Sequence, residues 1–484
     1  MTFTTELRIG GKARAAANGA TFERRNPITG EVATRAAAAT DADAKAAVDA
    51  ASQALAAWSA LGPNARRAAL LKAADLLQAR TGDFVERVAA ETGGTAPWAG
   101  FNVMLAAGML REAASLTTHV TGQVIPSDTP GSYAFSIRQP AGVVLGIAPW
   151  NAPVILGVRA VATPLACGNT VVFKASETCP ATHGLIVEVL EQAGLPPGAI
   201  NLLTNAPADA PALVEGLIAH PAVRRVNFTG STKVGRRIAE IAGRHLTPAL
   251  LELGGKAPLV ILDDADLDGA VNAVAFGAFM NQGQICMSTE RVVVDAKVAD
   301  AFVAKLKAKA AALPVGDPRA GNVVLGAMVS SAAAALVTDL AEDAKGKGGD
   351  VVLPPKVSHE TVVSAAIVDR VTPAMRIYSE ESFGPIVAVI RVSGDEEAVR
   401  VANDSEYGLA AAVFSQNINR ALHVATRINS GICHINGSTV ADEAQMPFGG
   451  TKASGYGRFG GTAGIAEFTD LRWITIETEP HYPF

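Results

Sequence analysis

The sequence predicts an α/β protein whose core is two doubly wound sheets of mainly parallel strands. Apolar runs of strand length recur at 143–149, 170–174, 199–203 and 223–228, and helical stretches at 153–165, 180–193 and 207–219 separate them. Strands that are apolar on both faces and alternate with helices belong to parallel sheets covered on both sides. A second strand–helix series follows between about 250 and 435, with strands at 259–262, 291–294 and 387–392 and helices at 267–280 and 295–313. The segment 467–477 alternates in polarity like a strand and is expected to pair with a partner subunit.

Ahead of the first sheet, Thr40 is placed to cap a helix on which Val48, Ala51, Leu55 and Trp58 recur at helical spacing. A second helix, at about 64–80, puts Leu70, Ala74 and Leu77 on one face. Both read as packing helices without chemistry.

The 484 residues suffice for two or three domains with a large core, and 49% hydrophobic against 18% charged residues is ordinary for a folded enzyme. A net charge of −5 gives no counterion-release drive toward nucleic acid. No apolar run approaches the ~18 residues of a membrane helix, and no signal core opens the chain. Cys167, Cys179, Cys286 and Cys433 show no CxxC spacing, which fits free thiols in a reducing cytoplasm. The eight histidines form no HxxxH or Cys/His cluster, so no metal site is expected.

Ligands of such sheets bind at the carboxyl ends of the strands, where Ile147, Trp150-Asn151, Lys174 to Glu177 and Gly230-Ser231 fall. Gly230-Ser231 opens a helix with Val234, Ile238 and Ile241 as its apolar face; a helix N-terminus can hold a phosphate, and a glycine turn there is also common. Glu177 can accept two ribose hydroxyls and repel a 2′-phosphate, or pair with Lys174 in solvent. Glu252 lies in an apolar, glycine-rich segment, 251–256, where desolvation would raise its pKa and suit it to general-base work. Asn151 can direct an amide at an oxyanion or simply form a turn. Cys286 follows a glycine and two flexible glutamines, Gln282 and Gln284, and reads either as a packing cysteine or as an exposed thiol.

These pieces together resemble the NAD(P)-dependent aldehyde dehydrogenase superfamily. The matching motifs are Pro149-Trp-Asn151, Lys174 to Glu177, Phe228-Thr-Gly-Ser231, Glu252-Leu-Gly-Gly-Lys256, Gly283-Gln-Ile-Cys286, Glu381-Ser-Phe-Gly-Pro385, Asn436-Gly437 and Pro447-Phe-Gly-Gly450, in the family's order across nearly the whole chain. The resemblance implies a Rossmann-like cofactor domain (1–120 with 139–250), a second α/β catalytic domain (251–460) and a small β oligomerisation element (121–138 with 461–484). It makes Cys286 the nucleophile, Glu252 the general base, and Asn151 with the Cys286 N–H the oxyanion hole. NAD would be held by Ile147, Trp150, Lys174, Glu177, Gly230, Ser231, Leu253, Glu381 and Phe383, and a homodimer or homotetramer is implied. Ala175 and Ser382 depart tolerably from the family pattern. Phe459 stands where many members carry a proton-relaying glutamate, which leaves the base role on Glu252.

Finer motifs, 97–102, 284–291, 435–440 and the ending His481-Tyr-Pro-Phe484, resemble bacterial salicylaldehyde and vanillin dehydrogenases. An aromatic aldehyde is therefore the expected substrate, in a slot of Trp98, Leu156, Ile285 and Met287. Arg159 stands where many relatives carry a bulky aromatic; it would touch the ring or form a surface salt bridge. The alternatives are an aliphatic or semialdehyde enzyme, hydrolytic or CoA-acylating, and a fold relative without catalysis. Glu252 argues for hydrolysis, and the presence of Cys286, Glu252 and Asn151 argues against a lost activity.

Overall fold

A computed structural model describes residues 2–321, 323–479 and 482. Of the ending 481–484, residues 481, 483 and 484 lie outside the described residues. Two large sheets dominate. The first has eight strands, at whose centre Ala249–Glu252, Val223–Thr229, Val143–Ile147, Thr170–Lys174 and Ile200–Leu203 run parallel in that spatial order. All four expected apolar runs are strands of this sheet, and the intervening helices are Pro153–Ala166, Pro180–Gln192 and Ala210–Ala219. The second sheet has seven strands, parallel except at the edge strand Asp350–Leu353.

Register decides what the first sheet presents. Ile147 pairs with Lys174 on one side and Phe228 on the other, and Thr229 pairs with Glu252. The sequence-predicted residues Ile147, Lys174 and Glu252 thus end strands on the same, carboxyl edge of the sheet, with Val223–Thr229 between the strands of Ile147 and Glu252.

The packing helices fold as their patterns dictate. Thr40 caps Asp41–Ala60 in a reciprocal capping box with Asp43, and Val48, Ala51 and Trp58 are buried beneath it. Leu70, Ala74 and Leu77 are buried on Pro63–Ala79. The helix Thr232–Arg244 departs from its predicted face: Ile238 and Ile241 are buried, but Val234 is 46% exposed. Val234 lies in the first turn, which projects past the strand ends, so it has no sheet to pack on.

Several elements have no counterpart in the sequence reading. The N-terminal strands between Phe3 and Ala37 form a three-stranded sheet and a hairpin on the first large sheet. The helices Thr81–Thr92 and Ala96–Leu116 complete a helical layer against Pro153–Ala166. The predicted terminal strand is Thr469–Glu477; it pairs antiparallel with Ser132–Pro140, which also pairs with Gln123–Ile125. Tyr133, Leu471, Trp473 and Ile476 of this small sheet are exposed.

The second sheet is fastened by a buried cation. Arg291, without solvent exposure, donates to the carbonyls of Lys256 (3.2 Å), Val401 (3.0 Å), Ala402 (2.9 Å) and Asp404 (3.1 Å). Three of these lie at the end of the helix Gly394–Asn403, where unpaired carbonyls and the negative dipole end favour a guanidinium. Arg291→Met should cost about 3 kcal/mol, the scale of a buried charge-assisted network. Denaturant melts check this, and superimposable curves for the two proteins would refute it.

Candidate active site

The cysteine loop is built from strained backbone. Asn281, Gln282 and Gly283 all adopt left-handed geometry, at φ 50°, 57° and 72°. Non-glycine residues there cost about 1–3 kcal/mol each, so surrounding contacts must hold them. Gln282 donates to the Ala327 carbonyl (2.8 Å) and accepts from the Gly326 N–H (3.0 Å). Gln284 accepts from the Val329 N–H (2.9 Å). The two glutamines, expected to be flexible, are buried anchors instead, because their amides satisfy the backbone of 326–329. At Gly283 a Cβ would lie 2.1 Å from the Gly384 carbonyl oxygen, so only glycine fits.

Asn151 is locked to this loop. Its amide nitrogen donates to the Gln284 carbonyl (3.0 Å), and its own backbone carbonyl accepts from Trp98 Nε1 (3.0 Å) and Asn281 Nδ2 (2.9 Å). A second amide hydrogen stays available. The neighbouring Gly254-Gly255 explains the glycine pair after Glu252. A Cβ on Gly255 would sit 2.3 Å from the Cys286 carbonyl oxygen, and one on Gly254 would sit 2.7 Å from Glu381 Oε2. Gly255 also donates its N–H to Glu381 Oε1 (2.8 Å).

Glu252 is wholly buried, and neither carboxylate oxygen has a hydrogen-bond partner among the described residues. Burial pushes its pKa up to about 8; the Arg159 cation and the Cys286 thiol pull it down, and the Asp442 carboxylate opposes them. Burial also raises the Cys286 thiol well above its ordinary value, helped by the Glu252 charge and opposed by Arg159. Both groups therefore rest protonated at neutral pH, each the other's nearest acid–base partner. Cys286 is partly exposed, whereas Cys167 and Cys179 are buried, and burial holds Cys167 at about 12. Trp98, Leu156, Ile285 and Met287 are all buried and belong with Cys286 to one apolar cluster.

Arg159 does not form a surface salt bridge. Its side chain is 5% exposed and pairs with Asp442, itself 8% exposed. The guanidinium lies 4.1 Å from the Phe448 ring centroid and 5.9 Å from that of Phe459. Phe459 is buried and also packs on Phe468, at 6.3 Å.

On the strand-end edge, Lys174 pairs with Glu177, and Asn205 Nδ2 donates to the same Glu177 oxygen (3.0 Å). Asn205 Oδ1 is buried without a partner among the described residues. An orphaned acceptor beside a free carboxylate oxygen suits the hydroxyls of a ribose. Ser231 caps its own helix, accepting from the Val234 N–H (3.4 Å), which leaves its hydroxyl hydrogen free. The room a side chain would need at Gly230 is filled by the Phe228 ring, 2.4 Å from an ideal Cβ, so the glycine serves local packing. Leu253 is buried at the end of the Glu252 strand. Trp150 and Phe383 meet edge to face, ring centroids 5.8 Å apart.

Glu290, given no role by the sequence, organises the Glu381 loop. It accepts from the Ser382 N–H (3.0 Å), the Ser382 hydroxyl (2.9 Å) and the Phe383 N–H (3.1 Å), and pairs with buried Lys256 (2.6 Å). That pairing accounts for a serine at 382. Glu290, Asn205, Asp442 and Phe448 are the site residues that sequence reasoning left without a role. Phe448, in the motif 447–450, and Glu290, in the motif 284–291, had a local signal; Asn205 and Asp442 had none.

Comparison with known proteins accords with this arrangement. A family model described as the aldehyde dehydrogenase family matches residues 14–474. A vanillin dehydrogenase of Pseudomonas fluorescens is 62% identical over 478 residues, 99% of each chain. A salicylaldehyde dehydrogenase of Pseudomonas putida is 51% identical over 466 residues, 96% of each chain. The crystal structure of a salicylaldehyde dehydrogenase from Pseudomonas putida G7 complexed with salicylaldehyde superimposes with a TM-score of 0.98 at 50% identity, covering 100% of both chains. With Cys286, Glu252 and Asn151 gathered between two such sheets, the chain belongs to the aldehyde dehydrogenase family.

Proposed function

We propose that the protein oxidises an aromatic aldehyde of the salicylaldehyde, vanillin or benzaldehyde type to its carboxylic acid, with NAD as the oxidant. The observation that carries this reading is the Cys286 thiol, on a partly exposed residue, set against a buried Glu252 without a hydrogen-bond partner among the described residues and the Asn151 amide. Trp98, Leu156, Ile285 and Met287 supply an apolar wall suited to a flat ring. The named activities of the relatives support the aromatic class.

In its ionised form Glu252 takes the proton of the Cys286 thiol, and the thiolate sulfur adds to the aldehyde carbon. The developing oxyanion accepts from the free Asn151 Nδ2–H and the Cys286 N–H, each worth about 3–4 kcal/mol. NAD, when bound, supplies the hydride acceptor. Glu252 passes that proton to solvent and then removes one from the water that attacks the thioester; the sulfur leaves as thiolate, which recovers that proton from Glu252, and the acid departs. Lys174 and Glu177 would hold the adenosine ribose, Trp150 and Ser231 the pyrophosphate, and Glu381 the nicotinamide ribose. Ile147, Gly230, Leu253 and Phe383 would line the same cleft. The Glu177 carboxylate repels a 2′-phosphate, which favours NAD over NADP.

The segments 1–120 with 139–250, 251–460 and 121–138 with 461–484 serve as cofactor, catalytic and oligomerisation units in this reading. The exposed Tyr133, Leu471, Trp473 and Ile476 suit a face covered by a second copy, in a homodimer or homotetramer. No helix among the described residues is long and apolar enough to cross a membrane, and the four unpaired cysteines suit the reducing cytoplasm.

Three outcomes follow. Benzaldehyde, vanillin and salicylaldehyde should each exceed hexanal in kcat/KM and do so with NAD over NADP, giving the carboxylate without CoA. Cys286→Ala should remove at least about a thousandfold of that rate. Faster hexanal turnover, or equal rates for Cys286→Ala, would overturn the assignment. Next, the Glu252 pKa sets a pH limb. Deacylation of enzyme acylated by para-nitrophenyl acetate, without cofactor, should climb as pH rises through about 8, where Glu252 ionises. Arg159→Met should move that limb upward, since the lost cation favoured the carboxylate; a wild-type limb near the ordinary carboxylate range would contradict a desolvated base. Finally, light scattering should find Trp473→Glu smaller than wild type, and a monomeric wild type would remove the oligomerisation role.

A further inference from the structure

Arg159 and Asp442 bridge a helix and an irregular loop 283 residues later. The loop residues flanking the aspartate, Ala441 and Glu443, are exposed, while the Asp442 side chain is 92% buried, taken from its 8% exposure. Arg159 Nη2 engages only Asp442 Oδ2. The other oxygen, Oδ1, is shielded from solvent and has no hydrogen-bond partner among the described residues. A pair serving only to fasten the loop gains most as a two-pronged fork, which satisfies both oxygens. Here one prong is missing, and a buried charged acceptor without a donor is costly. The Phe448 ring, 4.1 Å from the guanidinium, fixes the plane in which Arg159 lies and so holds the carboxylate's orientation.

The unsatisfied oxygen belongs to the reacting end of the molecule. The charges of Asp442 and Arg159 are both felt at Glu252 and Cys286. Phe448, which stacks on Arg159, belongs to the apolar cluster of Trp98, Leu156, Ile285 and Met287 against which Cys286 packs, and so gives a ring apolar surface between the thiol and the pair. What Oδ1 lacks is a hydrogen-bond donor, and an aldehyde ring bearing a hydroxyl carries one.

We propose that Asp442 determines specificity: its free Oδ1 accepts a hydrogen bond from the ring hydroxyl of a hydroxybenzaldehyde whose carbonyl is at Cys286, with Arg159 as the positioning residue. This rests on the aromatic-aldehyde reading and narrows it to phenolic aldehydes. Benzaldehyde lacks the donor, and a methoxybenzaldehyde brings an ether oxygen against the carboxylate. Both leave Oδ1 unsatisfied on binding.

The test compares wild type and Asp442→Asn on benzaldehyde and on the ortho, meta and para isomers of hydroxy- and methoxybenzaldehyde. In the variant the amide oxygen faces Arg159 and the NH₂ takes the place of Oδ1, so it can donate to either ring oxygen. Wild type should prefer at least one hydroxy isomer over its methoxy counterpart and over benzaldehyde. In Asp442→Asn that hydroxy-over-methoxy ratio of kcat/KM should fall about ten- to a hundredfold, the scale of one hydrogen bond to a charged group. The loss should lie mainly in KM, with benzaldehyde changing far less. An equal decline on all aldehydes would mean that the pair only ties the loop, and would overturn the proposal. So would a wild type indifferent to the ring hydroxyl, a measurement that needs no variant to fold. Failure of the aromatic reading looks different, because benzaldehyde itself would then be a poor substrate.

Discussion

The distance between the cysteine loop and the Glu252 strand is set by backbone atoms in contact, and the rest of the site depends on it. Cys286 O presses on Gly255 and Gly384 O on Gly283, each closer than a β-carbon would permit, while the Glu381 carboxylate lies against Gly254. Such contacts leave no slack, so the two sheets hold the thiol and the carboxylate at a fixed separation. Buried charges then fasten the same ring of segments: Glu290 gathers Lys256, Ser382 and Phe383, and Arg291 ties Lys256 to the end of Gly394–Asn403. Gly255 and Gly283 are thus steric requirements of this geometry, each imposed by a different backbone carbonyl.

The electrostatics of the site follow from what surrounds this fixed pair. Neither Glu252 oxygen has a hydrogen-bond partner among the described residues, and the charge felt most strongly at Cys286 is that of Glu252. Arg159 is the nearest positive group felt by both, and Asp442 offsets part of it. Phe459, at the position where the resemblance implies a second glutamate in many members, lends its ring to the packing around Arg159. At positions 459 and 159, where the resemblance implies an acid and a bulky aromatic in many members, this chain carries an aromatic and a paired cation.

Much of the fold was legible because both-face burial leaves a clear signature. Val143–Ile147 and Thr170–Lys174 read as buried strands from composition alone, and the parallel-sheet rule then placed Ile147 and Lys174 on the binding edge. Glu252 was legible for a similar reason, since a carboxylate among leucines and glycines has few other uses. Roles created by distant pairing were not legible. Asp442 acquires its meaning from Arg159, 283 residues away, and Glu290 from Ser382, 92 residues away. Gln282 and Gln284 misled because a glutamine beside glycine looks mobile until the backbone of 326–329 supplies its partners. The N-terminal strands are too short, three residues each at Phe3–Thr5 and Leu7–Ile9, for alternation to register.

The isolation of Glu252 also ties folding to the proton that catalysis must release. Unfolded, this carboxyl would ionise in the ordinary range; folded, it holds its proton up to about 8. Between those values the native chain binds more protons than the unfolded one, so this residue makes stability fall as pH rises. The decline runs from the ordinary carboxylate range up to about 8, where native Glu252 at last ionises. A protein stock kept mildly acidic would last longer at the expense of turnover, and a longer-lived variant found by heat selection alone would be drawn toward replacing Glu252 with an uncharged residue. The carboxylate persists at this position against the preference of the fold around it.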